Sequence, residues 1–250
     1  MQTARKIAVA LTKGGTAKST TAVNLAAGLA RAGRRVLLVD TDTQGQDGLM
    51  LGVRPEAGLA QLVEGDVTAG EVVVEARENL YLLAGDHTLA GLKRTIALRE
   101  FGGERVLAEA LAPLDEAYDY VLLDTAPGWD PLTVNVLFYT EEILAPVSLE
   151  VLSLQGLVEF EERIKSIKQY RRELALRYVL PTFMDGRVRK SSEILEQLRA
   201  HYPDELCEPI RYNVRISEAP GFGQPLCEFA PRSTGANDYQ KLVERIEHGA

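Results

Sequence analysis

No stretch of about 18 consecutive apolar residues occurs in the 250-residue chain, which excludes an ordinary membrane-crossing helix. Cysteine is scarce: Cys207 and Cys227 are the only two, and with the three histidines they form no zinc-like spacing. A disulfide framework and a zinc module are therefore set aside, and the thiols are read as ordinary buried side chains. The opening residues, Met1 to Lys6, lead directly into a short apolar run without the longer apolar region and cleavage site of a secretion signal, so a cytoplasmic location is expected. There is no internal repeat, low-complexity tract or long linker, and one domain over residues 1–250 is the simplest organisation. Excess positive charge is missing too. A net charge of −8 and a pI near 5.1 argue against nucleic acid as a partner of the whole surface and leave only a local patch for it.

What the chain has is an ordinary globular composition, 46% hydrophobic and 26% charged, with strands and helices in alternation. Lys6 to Leu11 and Arg35 to Asp40 are apolar runs flanking a helical pattern from Lys18 to Arg34, closed by Gly33. That is one βαβ unit, with parallel strands and a right-handed crossover. Further short apolar runs follow at Leu80–Leu83, Tyr120–Leu123, Ile143–Val147, Leu176–Leu180 and Leu206–Ile210. Helical patterns between and after them cover Glu104–Leu111, Pro131–Tyr139, Leu152–Leu174, Ser191–His201 and Ala236–His248. The alternation predicts an α/β fold, an open and mostly parallel sheet with helices on both faces.

Between the first strand and helix stands Lys13-Gly14-Gly15-Thr16-Ala17-Lys18-Ser19-Thr20. Backbone N–H groups of such a loop converge on one small volume, and the helix N-terminus behind them favours anions, so the loop suits phosphate. Lys18 is placed to neutralise β- and γ-phosphates, and the Ser19 hydroxyl to reach Mg²⁺. The general G-x-x-x-x-G-K-[ST] pattern fails at Thr12 and at Ala17. The variant K-G-G-x-[GA]-K-[ST]-T fits, with Lys13 as its added lysine. Lys13 to Ala27 resembles the opening of ParA/Soj partition ATPases, within the deviant Walker A group that also includes MinD. The resemblance implies a P-loop NTPase fold, ATP and Mg²⁺ as cofactors, and an ATP-dependent homodimer. In that dimer the signature lysine, Lys13, reaches the partner subunit's nucleotide and stabilises charge as an arginine finger does.

Two apolar strands end in acid. After the second strand comes Asp40-Thr41-Asp42-Thr43-Gln44-Gly45, and residues just past strand carboxyl ends face the ligand crevice of an open α/β sheet. Asp42 is assigned to orienting the attacking water and Asp40 to supporting the metal. The segment is similar to the family's D-x-D-P-Q-G, with Thr43 in place of proline. Tyr120-Val-Leu-Leu-Asp124 has a Walker B layout, so Asp124 is assigned to Mg²⁺, and Thr125 to Gly128 to sensing the γ-phosphate.

The resemblance continues through Thr182–Arg187 and Asn213–Pro220. It implies that the loop around Arg211, Tyr212 and Asn213 helps enclose adenine, with Met184 and Asp185 as weaker candidates; an arginine or aromatic face stacks on a base. From Glu161 to Lys190 nine basic residues face four acidic ones, a local net of +5 in an acidic chain. Phosphate contacts of this kind give affinity without reading sequence. Arg187, Arg189 and Arg215 are the candidates for nonspecific DNA, Arg187 and Arg215 matching the family positions best. The resemblance thus implies a nucleoid-associated ATPase, stimulated by a ParB-like or cargo-adaptor protein, that positions a plasmid, a chromosome origin or a compartment such as a carboxysome. A MinD-like membrane ATPase is the alternative, disfavoured because the last helix lacks a basic amphipathic face. A nucleotide-binding scaffold with negligible hydrolysis is another, suggested by Ala17 and Thr43.

Overall fold

A computed structural model describes residues 3–249. In chain order the elements are β1 (Arg5–Val9), α1 (Lys18–Arg31), β2 (Val36–Asp40), α2 (Gln46–Leu51), α3 (Leu59–Glu64), α4 (Ala69–Val72), β3 (Val73–Arg77), β4 (Leu80–Leu83), α5 (Leu89–Ala97) and α6 (Val106–Leu111). There follow β5 (Tyr120–Asp124), α7 (Pro131–Tyr139), β6 (Glu142–Ser148), α8 (Val151–Lys168), β7 (Ala175–Thr182), α9 (Arg189–His201), α10 (Val214–Glu218), α11 (Leu226–Phe229) and α12 (Thr234–Glu247).

The strands form one seven-stranded sheet in the order β3-β4-β2-β5-β1-β6-β7, parallel throughout except for the β3–β4 pair. Side chains alternate between its faces. Ile7 and Val9 join Val23, Leu25, Leu29, Leu38 and Leu122 beneath α1 and α12, while Ala8 joins Leu37, Val39, Val121, Leu123 and Phe160 beneath the helices of the other face. Each fully buried Leu, Ile or Val contributes roughly 1.5–3 kcal/mol, and the two-sided burial explains why these strands are continuous apolar runs.

The strand order decides where the motifs meet. β5 lies between β2 and β1, in a register that sets Asp40 beside Asp124 and Asp124 beside Val9. Three sequence-distant strand ends therefore open on one edge, the crevice expected where parallel strands finish.

Four local expectations are revised. Leu206–Ile210 is not a strand: Leu206 makes one isolated bridge to Val179, and Pro209 has no N–H to continue a ladder. The helix expected to reach Leu174 stops at Lys168, because residues 169–174 must turn the chain into β7 beside β6. The first helix ends at Arg31, three residues early, where Gly33 takes a φ of 86°. β3 was not foreseen; it is an antiparallel edge strand whose register shifts between Glu75 and Arg77.

Candidate functional site

The loop after β1 is shaped to receive an anion. Ala17 precedes α1 with φ 68° and ψ 35°, and no side chain caps the helix. By contrast Asp130, Asn213 and Ser233 accept backbone N–H bonds at the starts of α7, α10 and α12. The first backbone donors of α1 are thus left for an outside acceptor. Gly15 also sits in the left-handed region, at φ 73°. Lys18 is buried, and its Nζ donates to the Lys13 carbonyl at 3.1 Å. Burial lowers the Lys18 pKa, opposed by the charges of Asp124 and Asp42.

Around this loop lies a groove of about 390 Å³, lined by Gly14 through Thr20 with Asp42, Gln46, Thr125 and Pro127. A second, more apolar pocket of about 280 Å³ is lined by Phe183, Ile210, Arg211, Tyr212, Asn213 and Tyr239, among others. Ala17, Thr20 and Pro220 border both, so one cleft has a polar, phosphate-sized end and an apolar, base-sized end.

The acidic residues divide the work. Asp40 holds the backbone: its Oδ1 accepts the Asp42 N–H at 2.9 Å and its Oδ2 the Asp47 N–H at 3.2 Å. Burial pushes the Asp40 carboxyl up to about 6 against those two donors. Asp124 is fully buried, and neither of its oxygens has a hydrogen-bond partner. Burial and then the neighbouring Asp40 raise its pKa well above the carboxylate range, with Ser19 and Lys18 pulling the other way. Asp42 is half-buried and faces the groove, its Oδ1 accepting the Gln44 N–H at 3.0 Å. Asp47, not singled out in the sequence, joins Asp40 and Asp124 in a cluster whose closest oxygens all lie within 4.8 Å of one another. Gly45 brings Asp47 there: it turns the chain at φ 58°, and a Cβ on it would meet the Gly85 carbonyl at 2.4 Å. An acid at the start of the helix that follows an acidic strand end is the signal that would have found Asp47.

The segment after β5 is wired to the phosphate loop. Thr125 donates through N and Oγ1 to the Val9 carbonyl, and Gly128 donates to Thr12 at 2.8 Å. Beyond it, Trp129 packs edge-on against Phe160 of α8 and lies beneath the Arg163 guanidinium, while Asp130 pairs with Lys93.

The base-side candidates are more occupied than the sequence suggests. The Arg211 guanidinium grips the buried Asp238 carboxylate of α12, with Nη2 at 2.6 Å from Oδ1. Asn213 spends its amide on capping α10 and on Thr234. Met184 packs against the core of the opposite sheet face, and its neighbour Phe183 lines the pocket instead. Arg187, Arg189 and Arg215 are exposed, each paired with a nearby acid: Asp185, Glu193 and Glu218. Arg187 and Arg215 lie on neighbouring segments, because Met184 bridges Arg211.

A family model described as an AAA domain matches residues 4–176. The chromosome-partitioning ATPase Soj of Thermus thermophilus is 40% identical over 97% of this chain and 95% of its own length. The sporulation initiation inhibitor protein Soj of Bacillus subtilis is 32% identical over 96% of this chain and 97% of its own. Among solved structures, cobyrinic acid a,c-diamide synthase of Mycobacterium smegmatis, with bound ATP analogue and magnesium, is similar with a TM-score of 0.84 at 31% identity, covering 98% of this chain and 95% of that one.

Proposed function

This chain belongs to the ParA/Soj family of partition ATPases, within the AAA domain family, and from that premise we propose that it is an ATP hydrolase that dimerises on ATP and Mg²⁺ and then holds nonspecific DNA. Through that cycle it positions or segregates a cargo at the nucleoid, as a single cytoplasmic domain whose turnover is slow until a ParB-like or cargo-adaptor protein stimulates it. The observation that carries the reading is the junction of the two grooves at Ala17, Thr20 and Pro220, which gives a triphosphate and its base one continuous seat.

In that seat the α1 N–H groups and Lys18 take the phosphates. Tyr212 and Phe183 offer apolar surface to the base, while Arg211, pinned by Asp238, shapes its edge. Ser19, Asp40 and Asp124 fit Mg²⁺, since the bare, buried oxygens of Asp124 call for a cation. Bound Mg²⁺ neutralises charge on the phosphates. Asp42, facing the groove, orients the attacking water. Leu49 and Tyr212, exposed apolar residues that line the two grooves, favour association of two copies across the cleft.

A MinD-like membrane role is disfavoured by α12. Its apolar residues Tyr239, Leu242, Val243 and Ile246 are buried in the core, which leaves this helix no apolar face for a lipid surface.

ATP turnover by the wild type and Asp42→Ala, each with and without DNA, tests the catalytic reading; equal rates sink it. Sedimentation with DNA in the presence of a non-hydrolysable ATP analogue tests the binding half, and indifference to nucleotide refutes it.

A further inference from the structure

The Asp47 side chain is anomalous. It is completely buried, and neither carboxylate oxygen has a hydrogen-bond partner. Asp124 shares both properties, so four bare carboxylate oxygens lie in one buried volume beside Asp40. Leaving even one ionised carboxylate buried and unpaired costs several kcal/mol. The nearest ammonium, Lys18, directs its hydrogen bond to the Lys13 carbonyl. One cation thus opposes three buried acids before any nucleotide adds further negative charge. A water molecule would supply hydrogen bonds without neutralising them. A small divalent cation supplies the missing charge and accepts carboxylate oxygens as ligands.

We propose that Asp47, together with Asp40 and Asp124, forms a pocket that holds a divalent cation in the nucleotide-free protein, so that the metal is in place before the nucleotide arrives. The proposal rests on the reading of Ser19, Asp40 and Asp124 as the metal side of the phosphate loop. It adds Asp47 as a third acid and a metal-first order of assembly. The Asp40 carboxylate is fixed by two backbone donors, which leaves Asp47 and Asp124 as the freer ligands.

The test is a titration of the full-length, nucleotide-free protein with Mn²⁺. Free ion is read by electron paramagnetic resonance, with Mg²⁺ as competitor. One equivalent is expected to bind, and Asp47→Asn is expected to weaken it at least roughly 10-fold, the lower end of what removing even a group that only supports a metal ligand costs. No Mn²⁺ binding by the wild type, or equal affinity in the variant, overturns the proposal. A melt of the wild type alone guards against a misfolded variant: Mg²⁺ without nucleotide must raise its Tm, and an unmoved Tm overturns the proposal. Binding of a fluorescent ATP analogue in excess Mg²⁺ is measured in parallel; its failure would fault the phosphate loop, not the cation pocket.

Discussion

Lys13 ends on Ser153 of its own subunit: its Nζ donates to the serine Oγ at 2.9 Å, with the Glu150 carboxylate 3.7 Å away. A lysine that is to reach a partner's nucleotide must first leave this seat. A hydrogen bond from a charged group contributes about 1.5–3 kcal/mol, enough to bias the monomer. Ser153→Ala is therefore expected to strengthen ATP-dependent dimerisation about fivefold or more, read by light scattering across a concentration series. Lys13→Ala is expected to bind ATP yet lose stimulated turnover. A Ser153→Ala dimer no tighter than wild type would remove the seat from the mechanism.

Ala17 carries a Cβ through a left-handed turn. That conformation costs an alanine roughly 1–2 kcal/mol. Glycine removes the strain but loses about 0.4–1 kcal/mol through its freer unfolded chain. Ala17→Gly is expected to gain about 0.5–1 kcal/mol, a Tm rise of about 1–4 °C in a chain of this size, measurable by calorimetry.

Exposed ion pairs hold Arg187 to Asp185 and Arg215 to Glu218. Such pairs are worth about 0–1 kcal/mol, so DNA phosphates can displace the acids. The Arg187→Glu/Arg215→Glu double variant is expected to lose DNA association while keeping nucleotide. With the milder Arg→Ala pair, the slope of log affinity against log salt should flatten by about 0.9 per lost contact. An unchanged slope would exclude both arginines from the interface.

Trp129, the one tryptophan of the chain, stands just after the segment that bonds to the phosphate loop. Its ring reports on Phe160 and Arg163 of α8. Adding ATP analogue and Mg²⁺ is expected to shift its emission, and Asp130→Asn, which weakens the Lys93 anchor, should change that shift. A spectrum blind to nucleotide would mean that the segment after Asp124 does not respond.

The Cys207 thiol is buried, and burial pushes its pKa up to about 12. Its folded pKa lies above its unfolded one, so the unfolded chain releases the proton first. Stability is undiminished below about pH 8.5 and falls as pH rises toward 12. Cys207→Ala should flatten that decline by up to about 1.4 kcal/mol per pH unit, read from denaturant melts. At pH 8 the native thiol should resist iodoacetamide.

How legible all this was depended on how far each signal reached along the chain. The buried parallel strands were readable because both faces are covered, which writes Val, Leu and Ile without interruption. β3 was not, since the apolar run at its start, Val72 to Val74, is cut short by Glu75 and Arg77 at the sheet edge. Phosphate-loop residues are contiguous, and their order between strand and helix carries the chemistry. The base pocket is assembled from segments that meet only in the fold, which is why Phe183 and Met184 exchanged places. Asp47 was hidden because its neighbours look like an ordinary short helix; the turn at Gly45 is what brings it back beside Asp40.

The fork between Arg211 and Asp238 places part of the base pocket's wall on α12, which also supplies Tyr239. The same helix packs along α1, directly behind the phosphate loop. A substitution at Asp238 would therefore be felt twice, in the outline of the pocket and in the seating of α12 on α1, so packing and ligand shape cannot be altered independently there.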